Sequence, residues 1–395
     1  MYLLTKDKTQ CSGCTACQHV CPKSCITMQT DDEGFDYPEI DAQNCINCHA
    51  CERVCPMANP DLTGCSEPES YATFISDLSQ RRTSSSGGAF CAIASIVLDK
   101  GGIVVGSTMD KDFQVHHIAI RYADELHLLK GSKYVQSRLG NIFDIIKREL
   151  QTGRWCYFVG TGCQVAGLKA FLNRDYPNLI TSDLVCHGAP SQKLFDAHIA
   201  YLQERYHHKV VTYDFRDNSR WSVSEKVGFE GRKPLINGNY KLSPYLYSFM
   251  HAMTYRPSCY VCPFATIPRQ GDITLADCWG AKRFIKGMQT AYGVSLLLTN
   301  TNKGRKAWTM ASESCEWQDV DITDCIAFNG NLVHATNKPP QRDNIYKDIE
   351  QRGYKAVAES TFRPTIYYLK RVTNAMKNNP VTRPIAWLWI KAKGF

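Results

Sequence analysis

Two matching runs of cysteine near the N-terminus have the spacing that most clearly indicates chemistry. The sequence has 19 cysteines, and eight of them follow the pattern C-x-x-C-x-x-C-x-x-x-C-P twice. Three cysteines two residues apart on a tight loop can turn their thiolates toward one iron–sulfur cube, while the fourth reaches the other cube. The spacing therefore predicts two [4Fe-4S] clusters with crossed ligands. The first ligand set is Cys11, Cys14, Cys17 and Cys55, and the second is Cys45, Cys48, Cys51 and Cys21.

The alternatives to iron–sulfur ligation are a zinc module and a disulfide framework. Zinc sites normally pair C-x-x-C units across a longer gap. Structural disulfides need an oxidising compartment, which nothing in the sequence indicates. The doubled spacing favours the clusters, and Cys25 and Cys65, which have no partner at ligand spacing, are interpreted as ordinary thiols.

Length and composition indicate how these motifs are arranged. A chain of 395 residues with 44% hydrophobic residues is long enough for a small module and a larger body. We predict an α+β / α/β protein with a bacterial-type ferredoxin module at residues 1–66, a mixed α/β body at 67–345 and a tail at 346–395. Within the module, Ile26–Ile40 is expected to form a hairpin that turns at Asp31–Gly34.

The C-terminal tail carries most of the net positive charge. The chain has a formal net charge of +8, and residues 363–395 contain seven basic residues and no acidic residue. The aromatic residues among them suit peripheral contact with an anionic membrane surface or an acidic partner, and a basic helix packed on the body is the alternative. Without a recognisable basic motif, no nucleic-acid partner is expected. The lack of a long apolar run predicts a soluble, cytoplasmic protein.

Two polar turns in the body are candidates for cofactor binding. RRTSSSGG at Arg81–Gly88 precedes a predicted helix over Ala89–Lys100, and its N–H groups and hydroxyls could bind a phosphate. An ordinary helix N-cap is the alternative. GSKYVQS at Gly131–Ser137 places polar side chains just before a second predicted helix, Arg138–Leu150.

A third predicted turn places Cys163 between a strand and a helix, in a unit of the kind that binds dinucleotides. Strand Trp155–Val159, turn Gly160–Cys163 and helix Gln164–Leu172 resemble a dinucleotide-binding unit, although the third glycine is displaced. Three later cysteines on loops could share a metal with this one, which predicts a third [4Fe-4S] cluster. Structural zinc or unrelated buried thiols are the alternatives. The proposed ligands are Cys163, Cys186, Cys259 and Cys262, with Cys278 as a competitor, while Cys91, Cys156, Cys315 and Cys325 are expected to be core or surface thiols.

Six motifs of the body, taken in order, resemble the coenzyme F-420 hydrogenase/dehydrogenase beta subunit family. They are SSSGG, GSKYVQS, GTGCQVAGL, VCHGAPS, FRDNSRW and RPSCYVCPFA with GDITLADCWG, and the resemblance around them runs from about Tyr71 to His334. Relatives with a fused two-cluster ferredoxin, including those that reduce 7-hydroxymethyl chlorophyll a, are similar from end to end. Gly162 stands where the family usually has proline, and Cys278 stands where it usually has an aromatic residue.

The resemblance implies a flavin-binding body, a bound FAD and an iron–sulfur cluster close to it. The positions that it places around the flavin are Ser84, Ser85, Ser86, Gly87, Gly88, Ser132, Lys133, Tyr134, Gln136, Gly160 and Thr161. A flavin that delivers a hydride also needs a proton partner. The candidates are His187, Asp183, Lys133 and Asp277, and a hydrogen-bonded turn residue is the alternative for each. His116 and His117 alternate on a strand, so only one of them can face inward.

These predictions combine into a hypothesis of electron transfer. Electrons would pass between the ferredoxin clusters and FAD through the third cluster, to reduce or oxidise an organic substrate or a deazaflavin-type coenzyme. The expected partners are a small-molecule substrate and a redox protein such as ferredoxin or a dehydrogenase subunit. The main rival is an electron-transfer subunit without its own substrate site, and a metal-stabilised scaffold without redox function is a third alternative.

Overall fold

The structure, a computed structural model, describes residues 1–62, 64–217 and 221–363. It contains a small N-terminal module and a mixed α/β body, which confirms the predicted fold class. The strands are β1 (Ile26–Thr30), β2 (Asp36–Ile40), β3 (Glu69–Ile75), β4 (Ile103–Met109), β5 (Val115–Ile120), β6 (Cys156–Thr161), β7 (Leu179–Leu184), β8 (Val210–Asp214), β9 (Glu225–Phe229), β10 (Arg232–Asn237), β11 (Ile273–Asp277), β12 (Ser295–Thr299) and β13 (Cys315–Asp319). The helices are α1 (Tyr2–Thr5), α2 (Ala16–Val20), α3 (Ala50–Arg53), α4 (Leu78–Arg82), α5 (Ala89–Asp99), α6 (Ile142–Gln151), α7 (Gly162–Leu172), α8 (Gln192–Tyr206), α9 (Pro244–Met250), α10 (Ala281–Phe284), α11 (Asn302–Ser312), α12 (Ile322–Ile326), α13 (Arg342–Arg352) and α14 (Tyr354–Ser360).

An eight-stranded sheet forms the centre of the body, in the order β13-β3-β12-β11-β7-β6-β4-β5. Strands β4, β6, β7 and β11 are parallel neighbours, so their carboxyl ends meet at one edge. Helices α5 and α11 cover one face, and α6 and α7 cover the other. Because both faces are covered, β6 can be apolar on both sides, as its buried run from Cys156 to Val159 shows. This carboxyl edge is where open α/β sheets bind ligands.

The predicted ferredoxin hairpin is present, with Ile26 opposite Ile40. Its turn is held by Asp31, whose carboxylate accepts from the backbone N–H groups of Glu33 and Phe35, and by Gly34 at φ +88°. The same turn docks on the body, because Glu33 receives two hydrogen bonds from Arg342, at 2.9 and 2.6 Å. The module therefore packs on the body through a nearly buried ion pair.

A three-stranded sheet, β10-β9-β8, builds a second core with α8, α9, α13 and α14. His198 and Glu225 pair at 2.8 Å inside it, and both are fully buried. The predicted tail begins within this core, because Val357 and Ala358 on α14 are fully buried there. The basic and aromatic part of the tail, residues 364–395, lies outside the described residues.

The region around β5 tests two predictions from the sequence, the start of the helix at Arg138 and the alternation of the two histidines. The predicted helix over Arg138–Leu150 begins only at Ile142, since Arg138 bridges β5 through backbone hydrogen bonds with Val115 and His117. The alternation of the histidines is confirmed, because His117 is buried and His116 is only partly so. None of the described helices is long and apolar enough to cross a bilayer.

Candidate cluster relay and cofactor cleft

Two cavities of similar size, ≈ 350 and ≈ 340 Å³ with their open mouths included, lie in the N-terminal module. Each is lined by three cysteines of one run and the last cysteine of the other. The first cavity contains Cys11, Cys14, Cys17 and Cys55, and the second contains Cys21, Cys45, Cys48 and Cys51. The crossed sets expected from the spacing are thus the sets that share a cavity. Four thiols around one such space suit a cubane cluster in each cavity.

The loops that carry these cysteines need unusual backbone conformations. Gly13 in the first run has φ +73°, and Asn47 in the second run has φ +52°. Thr15 and His49, at equivalent positions of the two runs, also have positive φ and directly precede α2 and α3. Both runs therefore turn in the same way, as their duplicated spacing implies.

Cys25 differs from the ordinary thiol that its isolated position predicts. It lines the second cavity, and its sulfur lies 3.4 Å from the sulfur of Cys21. The hydrogen bond with Cys21, followed by burial, raises the pKa of Cys25 to about 11. The tertiary fold therefore brings a fifth thiol to the second cavity.

The four cysteines proposed for a third cluster come together at the carboxyl edge of the sheet. Cys163 lies in the first turn of α7 after β6, and Cys186 follows β7. Burial raises the pKa of Cys186 to about 12, with Cys163 and Cys262 adding to the shift, and burial raises the pKa of Cys262 to about 11. The pKa of Cys259 is raised by burial and then by Cys186 and Cys262.

Metal ligation is a chemical reason for holding such thiols together. Buried thiols resist ionisation, whereas a bound metal deprotonates its cysteine ligands outright. The four residues therefore fit an iron–sulfur cluster by the chemistry of their donors. No group of three or more His, Cys, Asp or Glu in the described part of the chain surrounds a position for a single metal ion.

The first cavity and this third group are adjacent. A Cβ atom at Gly167 would lie only 3.0 Å from the sulfur of Cys14 and 2.8 Å from its Cβ, so the backbone of α7 packs directly on Cys14. Gly167 is one turn along α7 from Cys163. Burial raises the pKa of Cys14 to about 12, and Cys163 contributes in the same direction. The two groups of thiols thus approach each other across the boundary between module and body.

Cys278, the competitor for the fourth ligand position, lies elsewhere. It is fully buried in an apolar cluster with Cys325, and the hydrogen bond with Cys325 is the main reason that its pKa is raised. Among the other expected non-ligand thiols, Cys91 and Cys156 are buried in the two cores that cover the sheet. Cys315 packs partly buried on the outermost strand.

The polar turns predicted to surround a flavin meet at the same edge of the sheet. The backbone N–H of Ser132 donates to the hydroxyl of Ser85 at 2.7 Å, which joins the two turns. Other serine hydroxyls satisfy the backbone, since Ser84 donates to Gln80 and Ser86 donates to Val294. Neither serine caps α5, because its N-cap is Gly88 and receives no side-chain hydrogen bond, so the helix N-cap that the sequence left open as the alternative is not formed by them.

The glycines and the threonine of the predicted set shape these turns. A Cβ atom at Gly87 would lie 2.2 Å from the carbonyl oxygen of Thr73, so only glycine fits there, and Gly88 caps α5 at φ +89°. Thr161 forms a capping box with Gln164 at the start of α7, beside Gly160.

Gln136 belongs to the boundary with the N-terminal module. Its side chain donates to the carbonyl oxygen of Ser12 at 3.0 Å and accepts from Arg256 at 3.2 Å. Its side-chain amide is thus engaged by the loop of the first cysteine run, on the side of Cys11.

Arg216 links the joined turns to Asp277 at the end of β11. It donates to the carbonyl oxygen of Ser85 at 2.7 Å and to Asp277 at 3.0 Å. Trp221 also donates to Asp277, at 2.8 Å, and stacks on Trp279 with ring centroids 5.3 Å apart. The Nε and Nη2 atoms of Arg216 are buried and have no hydrogen-bond partner in the described structure. Buried donors without a partner are costly and fit an anionic or carbonyl-bearing group.

Three of the four candidate proton partners are engaged by the fold. Asp183 is fully buried and pairs with Arg269 at 2.9 Å. Lys133 donates to three backbone carbonyl oxygens, and burial lowers its pKa to about 7. Asp277 receives the bonds from Arg216 and Trp221.

His187 is the remaining candidate. Its imidazole makes no side-chain hydrogen bond among the described residues, and it lies 6.4 Å from the ring of Phe249. Burial lowers the pKa of His187, and Asp277 opposes the shift. A neutral imidazole that is not already bonded can accept or pass a proton at neutral pH. Tyr134, predicted to contact the flavin, stacks on Phe249 with ring centroids 4.4 Å apart.

Sequence reasoning missed three side chains that organise the site. Arg216 and Trp221 lie within the FRDNSRW motif, which indicated only a family resemblance. Arg256 begins the RPSCYVCP motif, whose cysteines were the predicted ligands. Their presence as arginine or tryptophan inside a recognised motif was the feature of the sequence that could have identified them as site residues.

Comparison with known proteins confirms the resemblance drawn from the motifs. Residues 153–323 match the family model for the C terminus of the coenzyme F420 hydrogenase/dehydrogenase beta subunit. Residues 10–59 match the model of a 4Fe-4S dicluster domain. A chain of the F420-reducing [NiFe] hydrogenase complex from Methanosarcina barkeri is similar, with 17% sequence identity and a TM-score of 0.46, over 74% of this chain and 94% of that chain. No curated protein matches the sequence.

Proposed function

We propose that the chain is an FAD-dependent iron–sulfur oxidoreductase, because it matches the models of a 4Fe-4S dicluster domain and of the C terminus of an F420 hydrogenase/dehydrogenase beta subunit. Electrons pass between the N-terminal module and a flavin cleft through a third cluster in the body. The substrate is an organic molecule or a deazaflavin-type coenzyme, which is either reduced or oxidised. A bound flavin would supply the exchange between single electrons and a hydride.

The contact between Cys14 and α7 is the observation that carries the proposal. It joins the first module cavity to α7, the helix that carries Cys163 in its first turn. Cys163 in turn follows β6, at the edge where the polar turns meet. Three groups of cysteines therefore form one series that leads from the module to the proposed cleft.

The second cavity is the outer end of this series. Cys48 is exposed, and the neighbouring Ile46 is 57% exposed. Cys14 in the first cavity is buried against the body. Under the proposal, a soluble redox partner such as ferredoxin or a dehydrogenase subunit exchanges electrons at the exposed loop.

In the cleft, the chain supplies binding and proton transfer. Arg216 has two unused donors for the flavin, and Ser85 and Asp277 orient its guanidinium. His187 is the proposed proton partner, because its imidazole is not committed elsewhere among the described residues. The stacked rings of Trp221 and Trp279 line the proposed cleft beside Asp277.

A second candidate function is an electron-transfer subunit of a larger hydrogenase or dehydrogenase, without its own substrate site. The observation that favours it is the exposed Ile46 beside the second cavity, since exposed apolar residues often mark partner surfaces. This function requires a stable complex and predicts no turnover by the isolated chain.

The test is the iron, sulfide, zinc and flavin content of protein purified without oxygen, with absorption spectra before and after dithionite. Three cubane clusters and one flavin correspond to about twelve irons and one FAD per chain. Flavin with about eight irons would refute the third cluster. Clusters without flavin would refute the FAD-dependent enzyme and favour the electron-transfer subunit, and zinc without iron would refute both.

Two serine variants sharpen the test of the third cluster. Cys186→Ser removes one proposed ligand and is expected to lower the iron content by about four per chain while both module clusters remain. Cys315→Ser is the matched control, because this thiol lies on the outermost strand, away from the carboxyl-edge group. Equal iron content in both variants would contradict the assignment.

A further inference from the structure

Arg256 is a buried cation at the boundary between the module and the body. Only 1% of it is exposed. Its Nε donates to the carbonyl oxygen of Cys11 at 2.6 Å, and its Nη2 lies 3.4 Å from the sulfur of the same cysteine. The remaining donors reach the carbonyl oxygen of Asp36 at 2.9 Å and the side chain of Gln136 at 3.2 Å. The guanidinium also lies over the ring of Tyr37, 4.1 Å from its centroid.

The charge of Arg256 has no carboxylate partner. No carboxylate of the described residues pairs with it, whereas the buried Arg216, Arg269 and Arg342 each pair with one. Arg81 also has none, but it lies on the ring of Phe74 and donates to carbonyl oxygens. A buried charge is retained where a counter-charge compensates it.

The position of Arg256 indicates that counter-charge. It contacts the sulfur of Cys11 and lies three residues before Cys259, so it stands between a proposed ligand of the first cluster and one of the third. Thiolates that hold an iron–sulfur cluster carry negative charge. Hydrogen bonds to cluster sulfurs and nearby charge are among the factors that set the reduction potential.

We propose that Arg256 is a positioning residue that raises the reduction potential of the first cluster and so draws electrons from the second cluster toward the body. The inference rests on the proposed electron-transfer function and deepens it. When one electron passes inward, the second cluster is oxidised by one electron and the first is reduced by one. Arg256 stabilises the added negative charge on the first cluster, and no proton is required for this step.

Arg53 provides a natural comparison within the same module. It donates to the carbonyl oxygen of Cys48 at 3.0 Å, as Arg256 donates to that of Cys11, but Arg53 is exposed. Water and salt screen an exposed charge, whereas a buried charge is screened much less. The two arginines therefore differ in burial and in the contact that Arg256 makes with a cysteine sulfur.

The test is an anaerobic redox titration followed by EPR, on the full chain with its iron quantified. Arg256→Gln removes the charge, and Arg256→Lys keeps the charge but loses the planar set of donors. We expect the glutamine variant to lower the potential of one cluster by at least about 59 mV, a tenfold change in a one-electron equilibrium. The lysine variant should shift the same cluster in the same direction by less. Arg53→Gln, the matched control beside Cys48 of the second ligand set, should shift the potential of neither cluster by as much.

Unchanged potentials in an Arg256 variant that retains its iron would overturn the inference. A shift of equal size in the second cluster of Arg53→Gln would also overturn it, since an exposed arginine would then act as strongly as the buried Arg256 that contacts a sulfur. If the Arg256→Gln protein does not load iron, Arg256→Lys tests the inference instead. This variant loses the N–H contact to the sulfur of Cys11, so the reduction potential of the first cluster must still fall. The titration needs no flavin and no substrate, so its failure is distinct from a failure of the proposed enzyme function.

Discussion

Asp183→Asn distinguishes a catalytic carboxylate from a structural one. Asp183 was a candidate proton partner in the sequence, but its carboxylate is fully buried and bonds to Arg269 at 2.9 Å, to Thr274 at 2.6 Å and to the backbone N–H of Gln270 at 3.3 Å. Arg269 in turn donates to the carbonyl oxygen of Phe264 at 2.9 Å. This network connects the end of β7 to the loop that follows Cys262.

The expected loss of stability follows from the burial of Arg269 and Asp183, whose side chains are 2% and 0% exposed. Removing one charge of a buried pair leaves the other uncompensated and costs about 3–5 kcal/mol of the free energy of unfolding. Unfolding entropy of about 2.1 cal/mol/K per residue, over the whole chain, converts this to a decrease of about 4–6 °C in the unfolding midpoint. We also expect loss of iron from the third group, because the same network positions the loop after Cys262.

The assay is anaerobic thermal unfolding at a fixed scan rate, with iron measured on the same samples. Glu204→Gln is the control, since the Glu204–Lys355 pair is about 60% exposed on each side and should contribute no more than about 1 kcal/mol. The double variant Asp183→Leu with Arg269→Met should recover part of the stability, because it leaves no unpaired charge. An Asp183→Asn protein with normal stability and iron but no turnover would refute the structural role.

Three further predictions concern the relay, the cleft and the response to pH. Gly167→Ala places a methyl group against Cys14, and this overpacking, which costs about 1–3 kcal/mol, should displace the proposed ligand and lower the iron content. Gly106→Ala is the control, because its added methyl group meets its nearest neighbour at 3.6 Å and should leave the iron content unchanged. Arg216→Ala should weaken FAD binding about 10- to 100-fold by loss of charged hydrogen bonds, as measured by flavin titration of the apoprotein. Burial lowers the pKa of His117 from 6.5 to about 4, so its contribution to stability is present above pH 6.5 and is lost as the pH falls toward 4. His117→Gln should therefore flatten the acid side of the pH–stability profile by up to about 1.4 kcal/mol per pH unit.

Each of these three has an outcome that contradicts it. Normal iron content and EPR spectra in Gly167→Ala would mean that α7 is not in close contact with the first cluster. Unchanged flavin affinity in Arg216→Ala would remove the arginine from the cleft. Equal slopes of stability against pH in wild type and His117→Gln would show that another group titrates over that range.

Local patterns in the sequence were sufficient for the elements and for the groups of thiols. The doubled spacing of cysteines specified which residues share each module cavity, and the alternation of β5 placed His117 inward. The apolar strand and the glycines after it predicted a strand, a turn over Gly160–Cys163 and a helix. The structure contains the strand and the helix as β6 and α7, but the predicted turn is wrong, because β6 runs to Thr161 and α7 begins at Gly162. These are short-range patterns, in which the geometry of a few consecutive residues determines the secondary structure and the direction of each side chain.

The roles of individual polar side chains could not be predicted in the same way. Asp183 and Lys133 carry groups that suit catalysis, yet both are already bonded. Asp183 pairs with Arg269 and Thr274, far along the chain, and Lys133 donates to Ser107 and to two carbonyl oxygens of the preceding turn. Gln136 lies in a polar turn of the sequence, but it bonds to Ser12 across the module boundary. The partners of a buried polar group are set by packing, and its chemistry depends on them.

The sequence by itself determined that this protein has two duplicated cysteine runs, a mixed α/β body and a set of family motifs, because cysteine spacing and hydrophobic periodicity are local properties. Only the tertiary structure decided that Cys14 lies against α7, that Cys25 reaches the second cavity and that Arg256 stands buried between two groups of thiols. Such contacts join residues that are far apart in the chain, and they depend on how the module docks on the body. The docking surface is formed by side chains from both parts, so no single stretch of sequence contains it.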